Sequence, residues 1–312
     1  MSTVATSNTA SAVPGRHHRE KHVNTWWAWV WVAPALILEI VFFIYPLINT
    51  IQISFQATDQ NTGDTSYVGF KNYVTIFTNA TMLQVLKNNL LWLVLATILT
   101  VGLGLLVAVL VDKVRVESLV KSALFVPMAI SFVGAGVIWR FVYIYEPSNQ
   151  TQIGLLNAIL SVFKIGPQVW LINTAINNFA LIAVYVWMWT GFSMVIISAA
   201  LKGIPEDIVE AASIDGASRW MMFWRITIPM IQPTLGVVAT TMIINILKIF
   251  DVIYVMTGGN YNTDVIAVEF YNQLFTFNNY GLASALAVIL LLVITPVMYI
   301  NIRRLRAEEA AR

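Results

Sequence analysis

Apolar residues run along this chain in six long blocks, separated by shorter polar stretches. The blocks cover approximately residues 29–51, 90–111, 119–143, 179–201, 235–255 and 282–300. A helix that crosses a bilayer needs about 20 mostly apolar residues, and each block supplies them. The pattern predicts an all-α membrane protein with six transmembrane helices. The polar stretches differ in character. Residues 1–25 are rich in Ser, Thr, Ala and charge, which predicts a disordered tail. The segments 57–87 and 146–178 carry Gly, Asn, Asp and aromatics, and are long enough to fold over one mouth of the helices and meet a partner. Residues 202–233 form a third long connection, and residues 307–312 a short tail. Residues 26–306 are expected to be one six-helix domain.

Basic residues then orient the spans, because Lys and Arg are retained on the cytoplasmic side. One set of segments holds Arg16, Arg19, Lys21, Lys113, Arg115, Lys121, Lys202, Arg219, Arg225, Arg303, Arg304, Arg306 and Arg312. The other holds Lys71, Lys87 and Lys164, with Arg140 near that end of the third span. Both termini are therefore expected in the cytoplasm. Trp26, Trp27, Trp29 and Trp31 suit headgroup-level anchors at the mouth of the first span. That span is too long for the apolar core of a signal peptide, and no small-residue cleavage site follows it. It is expected to be retained.

Composition narrows the chemistry. Of 312 residues, 58% are hydrophobic and 11% charged, against roughly 25% charged in soluble domains. The net charge of +2 offers no polybasic surface for nucleic acid. Cysteine is absent, which excludes disulfides, thiolate metal sites and cysteine nucleophiles. His17, His18 and His22 all lie in the first tail, so no histidine is available to ligate haem within a span. No G-x-x-x-x-G-K-[ST] phosphate loop occurs, so energy from a nucleotide would have to come from another polypeptide. No cofactor is expected on this chain.

The connection at 202–233 has the clearest local signals. Pro205 suits a helix start, and Glu206 and Asp207 follow at the positive end of the helix dipole. Ile208, Ala211, Ala212 and Ile214 give the short helix an apolar side. Gly216 can take positive φ and end it. Ser218 can cap a second helix that would run to about Ile228, where Pro229 and Pro233 disturb it. The same physics fits an ordinary capped loop and a docking element with room for a neighbour at Ala211, Ala212, Gly216 and Ala217.

Motifs add to this reading. Glu210-Ala211-Ala212, then Gly216, then Ile226 and Ile228-Pro229, resemble the EAA motif of ABC importer permeases. Ile204-Pro205, Asp215-Gly216-Ala217 and Pro233 match its sugar-permease form. Further resemblance lies in Ala33-Pro34-Ala35, Tyr45-Pro46-Leu47-Ile48, Ser54-Phe55, the Val68-Gly69-Phe70-Lys71-Asn72-Tyr73 element and the run from Phe250 to Gly259. Tyr280-Gly281-Leu282-Ala283-Ser284-Ala285 resembles the start of the sixth span. Where many sugar permeases read GGP, this chain reads Gly258-Gly259-Asn260-Tyr261-Asn262-Thr263-Asp264. That version, with Leu247-Lys248 before it and Arg304-Leu305-Arg306-Ala307-Glu308-Glu309-Ala310 near the end, resembles the α-glucoside subgroup. The resemblance implies a permease subunit of the cytoplasmic membrane and assigns Glu210 as the polar contact to an ATPase. It makes Ala211, Ala212, Gly216 and Ala217 close-packing positions and Asp215 a turn stabiliser. It implies a second homologous permease, two ATP-binding subunits carrying ATP and Mg, an extracytoplasmic sugar-binding protein and a sugar substrate.

Lys248 stands inside the fifth block, where a charge is costly and marks a candidate site. Asp251 follows at helical spacing. The two are expected either to neutralise each other or, with Asn245 and Tyr254, to line a sugar path. Tyr185, Trp187 and Trp189 are candidates for stacking on a sugar or for packing. An ion-driven secondary transporter would share the spans, but no inverted repeat is visible.

Overall fold

A computed structural model describes residues 25–58, 63–112 and 114–310. The expected disordered segment 1–25 lies outside these residues except for its last position. The chain divides into two units, Met1–Asn49 and Thr50–Arg312.

The described part of the first unit is helical. Helix α1 (Thr25–Glu39) passes into a π turn at Ile40–Ile44 and on to α2 (Tyr45–Ile53). Most of its described side chains are exposed along the apolar stretch and none is buried, as expected of a span whose solvent is lipid.

The second unit takes in the end of α2 from Thr50 and continues with an antiparallel hairpin, β1 (Gln56–Thr58) and β2 (Thr65–Tyr67), with Gln56 opposite Tyr67. Helix α3 (Lys71–Thr78) follows. Asn72 Nδ2 donates to the carbonyls of Ser54 and Gln56, both at 2.8 Å, and the Tyr73 hydroxyl bonds Ser54 Oγ at 2.7 Å. Gly69 turns the chain at φ +59°. These contacts give the Val68–Tyr73 element a structural role, which is to fasten the hairpin to α3.

Helix α4 (Ala80–Val111) starts ten residues before the apolar block, because Asn79 caps it by accepting from the Thr81 and Met82 amides. The expected loop 57–87 is therefore a hairpin, a short helix and the first turns of α4. The third block is not one straight helix. Helix α5 (Glu117–Phe125) and a 3₁₀ turn at Val126–Ala129 meet α6 (Phe132–Val142) at a bend of 102°. Ile130 and Ser131 are extended there, and Ser131 Oγ caps α6 through the Gly134 amide. Helix α7 (Leu155–Val162) lies in the next connection, and α8 (Asn177–Lys202) is buried along most of its length.

After α9 (Glu206–Ile214), α10 (Arg219–Met222) continues through a π turn at Phe223–Thr227 into α11 (Ile228–Leu247). The expected disturbance at Pro229 and Pro233 does not occur. Pro229 sits in the first turn after the π turn, where its missing N–H is harmless, and Pro233 is carried inside the helix. Helices α12 (Asp251–Met256) and α13 (Ile266–Tyr271), a π turn at Asn272–Thr276 and α14 (Tyr280–Ala310) complete the fold. Residues 307–310 prolong α14. Among the described residues, five helices are long and apolar enough to cross a membrane, and six spans result if the bent pair counts as one.

Three buried clusters hold the second unit. Trp92, Leu181, Tyr185, Met242 and Val252 join α4, α8, α11 and α12. Ile76, Val85, Ile266 and Leu286 join α3, α4, α13 and α14. Ala108, Met194, Ile197 and Val238 join α4, α8 and α11. Small residues set the closest approaches, since little but packing drives apolar helices together in lipid. A Cβ on Gly104 would come within 2.5 Å of Ser193 Cβ, and one on Gly191 would fall on the Leu124 carbonyl.

Candidate functional site

The fifth block carries the main candidate. Helix α11 stops at Leu247, and α12 starts at Asp251. Between them the Lys248 amide bonds back to Asn245 O at 3.2 Å and the Ile249 amide to Ile246 O at 3.0 Å. Phe250 takes φ −137° and ψ −62°. No Gly or Pro marks this interruption, so the apolar pattern reads straight through it. Irregular backbone at membrane depth is tolerated where it is buried in protein or lines a water-filled cavity.

The break changes the relation of the two charges. Lys248 and Asp251 are not on one continuous helical face, and among the described residues neither has an ion-pair partner. Lys248 and Tyr254 are exposed, and Asn245 and Asp251 are half-buried. Asn245 Nδ2 donates to Thr241 O at 3.0 Å, which leaves its amide oxygen available. Beside them runs an aromatic ladder. Phe250 and Tyr254 stack at 4.8 Å, Tyr254 meets Tyr271 at 4.9 Å, and Tyr271 meets Phe275 at 4.9 Å. The break and the ladder together present a cation, an anion, an amide and aromatic rings on a partly open surface.

The fourth-span aromatics lie elsewhere. Tyr185 is 1% exposed and packs with Trp92, Phe132 and Trp189. It is core, not an open stacking surface, and so is most of Trp189. Trp187 packs edge-on against Trp139.

Four asparagines missed by the sequence reading hold the segment 257–265. Asn88 Nδ2 donates to the carbonyls of Asn262 at 2.7 Å and Asp264 at 2.8 Å. Asn178 Nδ2 reaches Asn262 O at 3.2 Å, and Asn177 Nδ2 reaches Tyr261 O at 2.7 Å. Asn89 Oδ1 accepts from the Ile266 amide at 2.7 Å. The pairs Asn88-Asn89 and Asn177-Asn178 stand at the edges of apolar helices, and that placement was the signal. The held segment needs them because it is tightly folded: Gly258, Gly259, Tyr261 and Asn262 all have positive φ. Asp264 is half-buried within it. Desolvation first, and the neighbouring Glu269 second, push its carboxyl up to about 9.

The connection at 202–233 is a helix, glycine turn and helix, as its residues imply. Pro205 stands one position before the first helical residue. Gly216 has φ +80°, and the Ala217 amide reaches back to Ala212 O at 3.0 Å. Ser218 Oγ accepts from the Met221 amide at 3.3 Å. Glu210, Ala211, Asp215 and Gly216 are exposed and Ala217 half-buried, while Ala212 is buried against its own chain. Nothing lies within 4 Å of the position a Gly216 Cβ would take, so within this chain its requirement is backbone conformation. Ile214, Trp220 and Trp224 add exposed apolar surface.

The root of this connection is tied down. Glu117 Oε1 accepts from Lys121 Nζ at 2.5 Å and from Lys202 Nζ at 2.6 Å, and Lys121 also bonds Ser198 Oγ. This joins the start of α5 to the end of α8. Among the described residues, no group of three or more His, Asp or Glu is arranged to hold a metal.

Residues 100–306 match the family described as binding-protein-dependent transport system inner membrane component. The chain is 55% identical over 284 residues to the osmoprotective compounds uptake permease protein GgtC of Synechocystis sp., covering 91% of this chain and 100% of that one. It is 39% identical over 282 residues to the alpha-glucoside transport system permease protein AglF of Rhizobium meliloti, covering 90% and 83%. Among solved structures it resembles a chain of a bacterial ABC transporter involved in the import of the acidic polysaccharide alginate. There the TM-score is 0.74 and the identity 25%, with 89% of this chain and 96% of that one covered.

Proposed function

Since this chain belongs to the family of binding-protein-dependent transport system inner membrane components, we propose that it is the permease subunit of an ATP-driven importer of the cytoplasmic membrane that moves a carbohydrate, an α-glucoside such as maltose or trehalose. The observation that carries the substrate class is the break at Lys248–Phe250. It sets Lys248, Asp251 and Asn245 beside the ladder of Phe250, Tyr254 and Tyr271, a combination that matches sugar hydroxyls and ring faces. The α-glucoside relative supports the same class.

Both termini are cytoplasmic in this reading. The chain pairs with a second homologous permease and with two ATP-binding subunits, which hold ATP and Mg and perform the hydrolysis. An extracytoplasmic sugar-binding protein delivers the substrate to the outer segments. The exposed face of Glu210, Ala211, Asp215 and Gly216, with Ala212 and Ala217 shaping it from within, meets the ATPase. ATP drives transport because it favours one arrangement of the helices over the other.

A second reading is an importer for a polyol or glycerol phosphate, and the 55% identity to an osmoprotective compounds uptake permease favours a small solute of this kind. A small neutral glycoside satisfies both descriptions. Uptake of radiolabelled maltose and trehalose is measured in cells with and without this gene, and with Glu210→Ala. Loss on deletion and weakening by the variant are expected. Unchanged uptake of both sugars after deletion rejects the α-glucoside assignment.

A further inference from the structure

A cavity of about 580 Å³ lies beyond the break, at the far end of α12. Its walls come from the end of α6 and the residues after it, from the turn at 169–172, and from Met256, Thr257 and Tyr261. Arg140, Tyr143, Tyr145, Trp170 and Tyr261 supply its chemistry. Among the described residues no carboxylate lines it.

The cavity is built rather than incidental. Asn157 is fully buried, and its side chain fixes one wall. Its Nδ2 donates to the carbonyls of Ile144 and Gln168, both at 3.0 Å, and its Oδ1 accepts from the Gln168 amide at 2.9 Å and from Trp170 Nε1 at 3.1 Å. Tyr143 is anchored through its hydroxyl to Ala180 O at 2.9 Å, and its ring lies 5.8 Å from that of Trp170. The opposite wall is held by Asn177, whose Nδ2 donates to Tyr261 O at 2.7 Å. Arg140 reaches the Val255 carbonyl at 3.4 Å, a long bond that leaves most of its five donors free. Gly136 lets α6 lie against Val255, which brings Arg140 to that edge.

We propose that this cavity is an outer waiting site for a small glycoside, in which Trp170, Tyr143 and Tyr261 contact the apolar side of the sugar ring and Arg140 donates to its hydroxyls. The inference rests on the importer reading. The volume is that of a small-molecule site, and mostly apolar walls with few polar groups are what such a site requires. Aromatic surface and a single planar donor suit a molecule with apolar C–H faces and a hydroxyl rim. The absence of a lining carboxylate argues against a cationic ligand. Position adds to the case. Helix α12 spans Asp251 to Met256, so the cavity lies roughly 9 Å along a helix from the break. A sugar held here is one short step from Asp251 and Lys248.

The test uses the assembled transporter in nanodiscs, without ATP and without the binding protein. First, a panel of maltose, trehalose and sucrose is screened for uptake in proteoliposomes with the binding protein present. Binding of each transported, radiolabelled sugar is then measured for the wild type, Trp170→Ala and the exposed-site variant Arg140→Gln. Saturable binding is expected in the wild type, weakened about tenfold in Trp170→Ala and about threefold or more in Arg140→Gln, with both variants recovered as assembled transporter in wild-type amounts. If sugars are transported and both variants bind as the wild type does, the waiting site is wrong and the importer stands. If phosphatidylglycerol displaces the label at concentrations where unlabelled sugar does not, the cavity is a lipid site and the inference fails. If no sugar of the panel is taken up, the α-glucoside reading fails and takes the waiting site with it.

Discussion

Asn88 and Asn262 are separated by 174 positions in the chain, yet Asn88 Nδ2 donates to the Asn262 carbonyl at 2.7 Å. The same amide holds the Asp264 carbonyl. One side chain on α4 therefore satisfies two backbone acceptors of that segment. Asn88→Ala leaves the Asp264 acceptor without the Asn88 amide, at a cost of about 1–3 kcal/mol. A lower thermal midpoint of the purified protein in detergent is expected, with a larger fall for Asn88→Asp, which faces acceptors with an acceptor. Wild-type midpoints for both would mean the segment is held by other contacts.

Gly191 is where α8 passes the Leu124 carbonyl. Gly191→Ala adds a methyl group with nowhere to go, and overpacking of this kind costs about 1–3 kcal/mol. Reduced membrane accumulation is expected. Gly102→Ala, where nothing lies within 4 Å, should accumulate normally and serves as the control. Equal accumulation of the two variants contradicts the close approach.

Gly216 makes a different demand. Its surroundings are open, but its φ is +80°. Gly216→Asn tolerates that conformation better than Gly216→Val, whose β-branched side chain strains it by at least about 1–2 kcal/mol. Sugar uptake per ATP hydrolysed should fall in the valine variant and be largely retained in the asparagine variant. Equal losses in both would show that size, not backbone conformation, matters there.

Asp264 gives a pH dependence. Its carboxyl ordinarily titrates near 3.8 and is raised to about 9 in the fold, by burial and then by Glu269. Between those values the folded chain keeps a proton that the unfolded chain has lost, so stability falls as pH rises. The contribution is full below the lower value and gone above the upper one. Asp264→Asn mimics the protonated form and should flatten the dependence of the thermal midpoint between about pH 5 and pH 9. Parallel slopes for variant and wild type would reject the shift.

Much of this fold is legible as apolar length. The blocks at 29–51 and 179–201 match helices almost end to end, because lipid selects for uninterrupted apolar runs. The interruptions are less legible. The break at Lys248–Phe250 carries no Gly or Pro, and the bend after Ala129 depends on Ser131 capping a new helix within an apolar run. Both arise from tertiary packing, to which hydropathy is blind. The turn at Gly216 and the cap at Ser218 are readable, since each needs one residue type at one position. Lys248 and Asp251 stand out as charges in an apolar block, but their separation by the break does not. The asparagines at 88, 89, 177 and 178 look like minor polar breaks until the segment they hold, some 80 to 180 positions away, is in place.

Glu117 grips Lys121 and Lys202 at the junction of α5, α8 and the 202–233 connection. A lever transmits force only if its arm is fastened to the body it turns. Under the docking proposed at Glu210, a push on α9 would reach α8 and α5 together, because Lys202 and Lys121 share the Glu117 carboxylate. Beyond Ala129 the chain bends by 102° into α6, whose far end carries Arg140.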